Sequence, residues 1–306
     1  MDIISLVLVV AGLVLFETVS SIDNAIINAQ VLSTMGQRAR RWFLIWGMLI
    51  SVFLVRGFLP FLVVFMTNPG LGVMGTLTAT FSSDTKVIEA IEHSSPILLI
   101  GGGTFLIFLF FHWLFLETKN FGLMGERFIQ SLGVWFYAVI SIILATIVWF
   151  ALKINPFMAF GAVVGSTAFF ITHGFKQNAE EQEKNLLSSA RSDLSKIFYL
   201  EVIDATFSID GVVGAFAFTL SVPLILLGNG IGAFVVREIT VHNIERIKKY
   251  IYLKNGAMYS ILSLGAIMIL NGFGLNIPEW LTPIVTAVVI IYFMLKSKAA
   301  SIDQKI

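Results

Sequence analysis

Two short stretches set carboxylates into otherwise apolar sequence: FETVSSIDNAIINA at 16–29 and IDATFSIDGVVGAF at 203–216. They align without a gap, so Glu17 falls on Asp204 and Asp23 on Asp210, and each leading acid is followed six residues later by the aspartate of an S-I-D triplet. Glu201 stands three residues before Asp204 and shares its helical face. Asn24 and Asn28, one turn apart, add neutral oxygens. Carboxylates, amide carbonyls and serine hydroxyls, without any cysteine and without a histidine cluster, form a hard ligand set suited to Mn²⁺, Mg²⁺ or Ca²⁺ rather than copper or zinc. Glu17, Asp23, Asn24, Glu201, Asp204 and Asp210 are therefore the candidate metal-binding residues.

Their surroundings give these acids weight. An aspartate near the centre of a bilayer costs roughly 2.5–3.5 kcal/mol on the lenient insertion scale, so five acids cannot all face lipid. Arg56 and Arg237 lie in or at the edge of apolar stretches and are the candidate charge-balancing residues. Structural ion pairs with these arginines are one reading of the acids. Five negative charges less two positive ones leave three, however, and one divalent cation would bring the cluster close to neutrality.

The elements that must position these residues are apolar helices. Of 306 residues, 57% are hydrophobic and 13% charged, and the mean hydropathy is +0.88, well beyond what a water-soluble core requires. The 20 basic and 19 acidic residues are nearly balanced and the basic ones are dispersed, which points away from a nucleic-acid partner and leaves the lipid bilayer as the principal one. Stretches long enough to cross a bilayer occur near 4–33, 42–66, 96–116, 129–152, 156–173, 197–220, 222–243, 256–274 and 280–296, predicting an all-α, polytopic membrane helix bundle of about nine spans. MDIISL lacks a basic n-region, so a cleaved signal peptide is not expected. Sixteen lysines and arginines fall in one alternate set of connections and the C-terminal tail, and only Lys86 and Lys153 in the other. That bias predicts an N-terminus outside and a C-terminus in the cytoplasm.

A second match follows the acidic motifs in the same order, GMLISVFLVR at 47–56 against GNGIGAFVVR at 228–237. Five spans separate the starts of the repeats, so the two enter the membrane from opposite faces as inverted-topology three-helix repeats. The predicted division is a first repeat over 1–118, a connecting hairpin over 119–175, a charged cytoplasmic linker over 176–196, a second repeat over 197–275, and a final helix with its tail over 276–306. Inverted repeats are the usual construction of secondary transporters, whose sites lie near midplane where the repeats meet. Six residues of α-helix turn through 600°, leaving Glu17 and Asp23 about 120° apart; local unwinding at SSI and FSI would let both acids of a repeat face one cavity, with the serines bonding the freed backbone.

The remaining features read as structural. His93, His173 and His242 are expected in loops or at interfaces, and His112 as a buried polar side chain. GGGT at 101–104 suits close helix packing better than phosphate binding, since no lysine follows. The phenylalanine-rich run at 105–115 reads as packed or lipid-facing bulk. No H-E-x-x-H, nucleophile elbow or phosphate loop occurs, so the chain is not expected to be an enzyme or to hold a permanent cofactor.

With both acidic motifs in order, the chain resembles the TerC family of integral membrane proteins, and more closely a branch carrying FETVSSIDNA early and FSIDGVVGAF late; the likeness runs on through FVVREITV at 234–241 to NIPEWLTPIV at 276–285. The resemblance implies export of a metal ion, chiefly manganese, or a part in tellurite and metal-stress tolerance, in a bacterial inner membrane, with Glu17, Asp23, Asn24, Asp204 and Asp210 as the intramembrane site. Where better-known members read like DSIPA after the second acid, this chain has DGVVGA at 210–215, which lacks a hydroxyl and a proline. The expected function is a secondary transporter of a divalent cation as substrate, with proton exchange as the coupling its carboxylates would permit. The alternative is a membrane scaffold of a stress-response complex whose acids only tie helices together.

Overall fold

The structure, a computed structural model, describes residues 2–47, 72–81, 85–188, 192–239 and 249–303 and a few single positions between them; the side chains at 23, 24, 27, 77–94, 178–191, 203, 206, 207 and 301–303 lie outside that description. The described residues form an all-helical bundle. Its helices are α1 (Ile3–Ser20), α2 (Ile22–Ser33), α3 (Gln37–Trp42), α4 (Gly72–Phe81), α5 (Thr85–Leu116), α6 (Glu126–Ser131), α7 (Phe136–Leu152), α8 (Pro156–Ser188), α9 (Asp193–Ala215), α10 (Val222–Glu238), α11 (Leu253–Gly272) and α12 (Leu281–Asp303). A π-helical turn, Phe43–Gly47, continues α3.

Six helical segments among the described residues are long and apolar enough to cross a membrane: Ile3–Ser20, Ser95–Leu116, Gly133–Leu152, Pro156–Gln177, Leu253–Gly272 and Leu281–Ala300. The protein is therefore a multi-pass membrane protein. Of the other three expected spans, 42–66 lies largely outside the described residues. The remaining two coincide with α9, whose apolar character is diluted by Glu201, Asp204 and Asp210, and with α10, which is only 17 residues long. Ile142, Trp149, Phe157, Phe160 and Ile171 on the α7–α8 hairpin are exposed, as a lipid-facing surface requires.

The core is built on α5, which packs along both α8 and α11. Small residues allow this, because helices in lipid gain by close backbone approach rather than by water exclusion. A Cβ on Gly165 would overlap the Gly101 carbonyl, and one on Gly103 would lie 2.9 Å from the Gly265 carbonyl oxygen. The glycines at 101–103 thus serve helix packing, as their sequence suggests. The phenylalanine-rich run is packed interior rather than lipid-facing bulk: Phe105, Phe108, Phe110 and Trp113 are all buried.

Helix directions follow from the order of contacts. Along α5 and α11, Ile100 meets Gly272, Gly103 meets Gly265, and Phe110 and Trp113 meet Tyr259 with ring centroids 5.3 and 5.7 Å apart, so the two run antiparallel. The α1 helix runs antiparallel to α9, with Phe16 against Gly214 and Glu17 against Gly211. It runs parallel to α10, with Leu13 against Gly228 and Glu17 against Gly232.

The α8 helix does not end where its apolar stretch ends. It stays helical to Ser188, a 33-residue helix roughly 50 Å long at 1.5 Å per residue, against a hydrocarbon core of about 30 Å. Much of the expected 176–196 linker is therefore a continuation of a span, and α9 begins after Ser192, whose hydroxyl caps it.

Candidate functional site

Glu17 is 1% exposed and sits at the end of α1, where α1, α9 and α10 meet. Two glycines make room for it. A Cβ on Gly232 would lie 2.6 Å from Glu17 Cβ, and one on Gly211 would lie 2.8 Å from Glu17 Oε2. Gly214 likewise accommodates the Phe16 ring at 2.6 Å. The glycines of DGVVGA thus open space for the first motif instead of bending the second: α9 is continuous from Asp193 to Ala215.

The expected unwinding is found in one motif only. The α1 helix stops at Ser20, Ser21 leaves the helical region at φ −88° and ψ 3°, and α2 starts at Ile22. The break is shallow, since Ser21 N–H still donates to the Glu17 carbonyl at 3.1 Å and Ala25 N–H to the Ser21 carbonyl at 2.9 Å. Ser21 Oγ donates to Glu17 Oε1 at 2.7 Å, holding the carboxylate at the break. At the matching place in α9, Ser208 Oγ donates back to the Asp204 carbonyl at 2.6 Å and the helix continues through it.

Asp204 is half-buried. Asp23 and Asn24 belong to the first turn of α2, and their side chains lie outside the described residues. Glu201 Oε1 lies where a Cβ on Gly47 would fall. Asp210 forms an ion pair with Lys176 of α8, their side chains 14% and 13% exposed. Lys176 is thus a further cation beside the acids, additional to the two arginines expected from sequence. Read from sequence as part of a solvated linker, this lysine instead lies in α8 at the end of its Pro156–Gln177 apolar segment. Arg237, in the last turn of α10, enters no ion pair among the described residues, and Arg56 lies outside them.

Several buried oxygens near these helices have no hydrogen-bond partner among the described residues: Asn28 Oδ1 on α2, Glu201 Oε1 and Asp210 Oδ1 on α9, and Asn229 Oδ1 on α10. Asn229, 1% exposed, escaped the sequence reading; its signal is an amide inside the glycine-rich GNGIG at 228–232. These helices, α2, α9 and α10, are in mutual contact. Among the described residues no group of three histidine, aspartate or glutamate side chains is close enough to hold a metal ion. A metal centre in this region would therefore need side chains outside that set, such as Asp23, or neutral oxygens.

Two further polar groupings unite residues distant in sequence. His112 is buried, as expected, but His173 is not in a loop: it lies within α8, its ring 3.8 Å from that of His112 and stacked at 5.7 Å on Phe169. His93 and His242 lie outside the described side chains. Just past the end of α5, burial disfavours the Glu117 charge. His112 Nδ1 at 3.6 Å and Lys254 Nζ at 2.9 Å outweigh that penalty and hold its carboxyl well below the usual carboxylate range. Beside it, Glu126 is 1% exposed and accepts from Gly122 N–H at 2.7 Å and Asn255 Nδ2 at 3.0 Å, tying the α5–α6 connection to the start of α11.

Comparison with known proteins places most of the chain in one family. The model described as "Protein of unknown function (DUF475)" matches residues 22–302, and the chain belongs to that family. No curated protein and no solved structure matches it.

Proposed function

We propose that this DUF475-family membrane protein is a secondary transporter that moves a divalent cation, Mn²⁺ foremost, through an intramembrane site built from its two acidic motifs. The observation that carries this reading is the set of buried oxygens on α2, α9 and α10 without hydrogen-bond partners among the described residues, together with the fully buried Glu17 where α1, α9 and α10 meet. A buried acceptor left unsatisfied costs about 1–3 kcal/mol, so several in one region call for a ligand that accepts their lone pairs. All four are hard oxygen donors, the type Mn²⁺, Mg²⁺ and Ca²⁺ prefer.

The packing supports an inverted-repeat construction; counting 42–66, α9 and α10 as crossings beside the six apolar helices makes the proposed number nine. In such a repeat each helix must run opposite to its counterpart, and α1 against α9 and α5 against α11 are both antiparallel. The likeness to TerC motifs supports export across a bacterial inner membrane, and the basic bias of alternate connections supports a cytoplasmic C-terminus. In this scheme Lys176 holds the place of the cation at Asp210. An arriving divalent ion takes over that carboxylate, the lysine withdraws, and the repeats rock about the site to open it to the other face. Proton uptake by the vacated carboxylates completes the exchange.

The Asp210–Lys176 pair also favours a second reading, a scaffold for a metal- or tellurite-stress complex in which the acids serve helix association. Cation flux into proteoliposomes separates the two. A transporter gives Mn²⁺ uptake well above empty vesicles and loses it in Glu17→Gln and Asp23→Asn at unchanged folded yield. A scaffold gives no flux to lose.

A further inference from the structure

The α3 helix and the π-helical turn after it enclose an open recess of about 460 Å³, lined by Gln37, Arg38, Arg41, Trp42, Ile45 and Trp46. Its chemistry is one-sided: two guanidinium groups, one amide, two indoles and one aliphatic side chain, with no carboxylate in the lining among the described residues. Arg38 and Arg41 are three residues apart on one helical face, and Trp42 and Trp46 follow at a four-residue interval. Arg40, between the two arginines, is turned away, its Nε donating to the Leu32 carbonyl at 3.0 Å. The run of three arginines is thus divided into one that ties α3 to α2 and two that face the recess.

The recess stands on a fixed floor. Phe43 is buried with Val31, Leu32, Met35, Ile197 and Leu200, which anchors the turn to α2 and α9. Asp193, the acid near the start of α3, is engaged by Gly36 N–H at 3.1 Å. Neither Arg38 nor Arg41 enters an ion pair among the described residues. Trp42 and Trp46 are 44% and 55% exposed and Ile45 is 42% exposed, a large apolar outlay for a polar connection unless it lies against lipid.

We infer that this recess binds the headgroup of an anionic phospholipid, with the phosphate between Arg38 and Arg41 and the glycerol backbone and upper acyl carbons along Trp42, Ile45 and Trp46. Paired guanidinium groups match phosphate oxygens in a way that a single ammonium does not. Indole rings settle at headgroup depth, where one edge is wet and the other apolar. The volume falls in the range of small-ligand sites. A soluble phosphate would use the arginines and leave the apolar half of the lining against water, which is why a lipid is the occupant assigned.

The test is native mass spectrometry of the full-length, delipidated protein in detergent, titrated with phosphatidylglycerol or phosphatidylcholine of matched chains. Wild type should retain phosphatidylglycerol preferentially, and R38Q/R41Q should weaken that retention by about thirtyfold, the loss expected for two basic residues at a lipid surface. W42A/W46A should weaken retention of both lipids, and glycerol 3-phosphate should not compete. Thermal melts report whether the variants are folded. Equal retention by wild type and a folded R38Q/R41Q overturns the inference. Competition by glycerol 3-phosphate also overturns it, by assigning the arginines to a soluble phosphate.

Discussion

Alanine at Gly232 tests the packing that confines Glu17. The new Cβ would lie 2.6 Å from Glu17 Cβ, 2.7 Å from its Cγ and 3.2 Å from the Val14 carbonyl oxygen. Carbon atoms sit comfortably about 3.5–4.0 Å apart, so α1 and α10 must separate locally by roughly 1 Å. Glu17 Cβ belongs to the helix framework and cannot swing aside. Overpacking of this kind costs about 1–3 kcal/mol, against the roughly 0.5–1 kcal/mol that alanine gains over glycine inside a helix. The net expectation is a loss of about 1–2 kcal/mol. Gly174 supplies the control: it is also helical, in α8, and a Cβ there meets nothing within 4 Å, so Gly174→Ala should be neutral or slightly stabilising. Equilibrium unfolding in mixed SDS–detergent micelles measures both. If Gly232→Ala matches Gly174→Ala, the close approach of α1 to α10 at Glu17 is refuted.

The Lys176–Asp210 pair should behave as a buried ion pair in a double-mutant cycle: Lys176→Met alone loses about 3–5 kcal/mol by stranding the aspartate, and adding Asp210→Asn restores most of it. Additive losses would show that the two do not interact. Glu126→Ala should cost about 1–3 kcal/mol for each donor left without a partner, namely Gly122 N–H and the Asn255 amide, while Glu126→Gln should cost less because its carbonyl still accepts; thermal melts in detergent rank the three proteins. Glu117 has a folded-state pKa below its ordinary 4.5, so its stabilising contribution is present above that value and declines as pH falls through the lower one. Glu117→Gln should therefore be less stable than wild type at neutral pH and should show a smaller stability loss on acidification below about pH 4.5. A stability difference that does not change with pH would remove Glu117 as the cause.

What the sequence made legible was set by contrast. A glutamate and an aspartate inside runs of valine, leucine and isoleucine stand out without any structure, because little else explains a charge in hydrocarbon. The internal match of the acidic motifs and the packing use of GGGT were readable for the same local reason. Partners across helices were not. Lys176 looks like linker, yet it lies in α8 at the end of an apolar segment and pairs with Asp210. His112 and His173 have no ligand spacing in sequence but meet because α5 and α8 run in parallel with glycines between them. Glu126 sits in an ordinary polar connection beside Arg127, and Asn229 is a single amide among apolar residues; neither has a second motif to raise it above background. The two S-I-D motifs also differ in backbone despite their likeness: Ser21 bonds a carboxylate at a helix break, whereas Ser208 bonds a carbonyl within a continuous helix.

Mn²⁺ binding is the most direct test of a buried oxygen site for a divalent cation. Room-temperature electron paramagnetic resonance of free Mn²⁺, titrated against the purified protein in detergent, should reveal saturable binding that Glu17→Gln and Asp210→Asn each weaken by at least about tenfold, one charged ligand being worth 1.4 kcal/mol or more. Free Mn²⁺ that stays unbound in the presence of folded wild type, or binding unchanged in both folded variants, would contradict it.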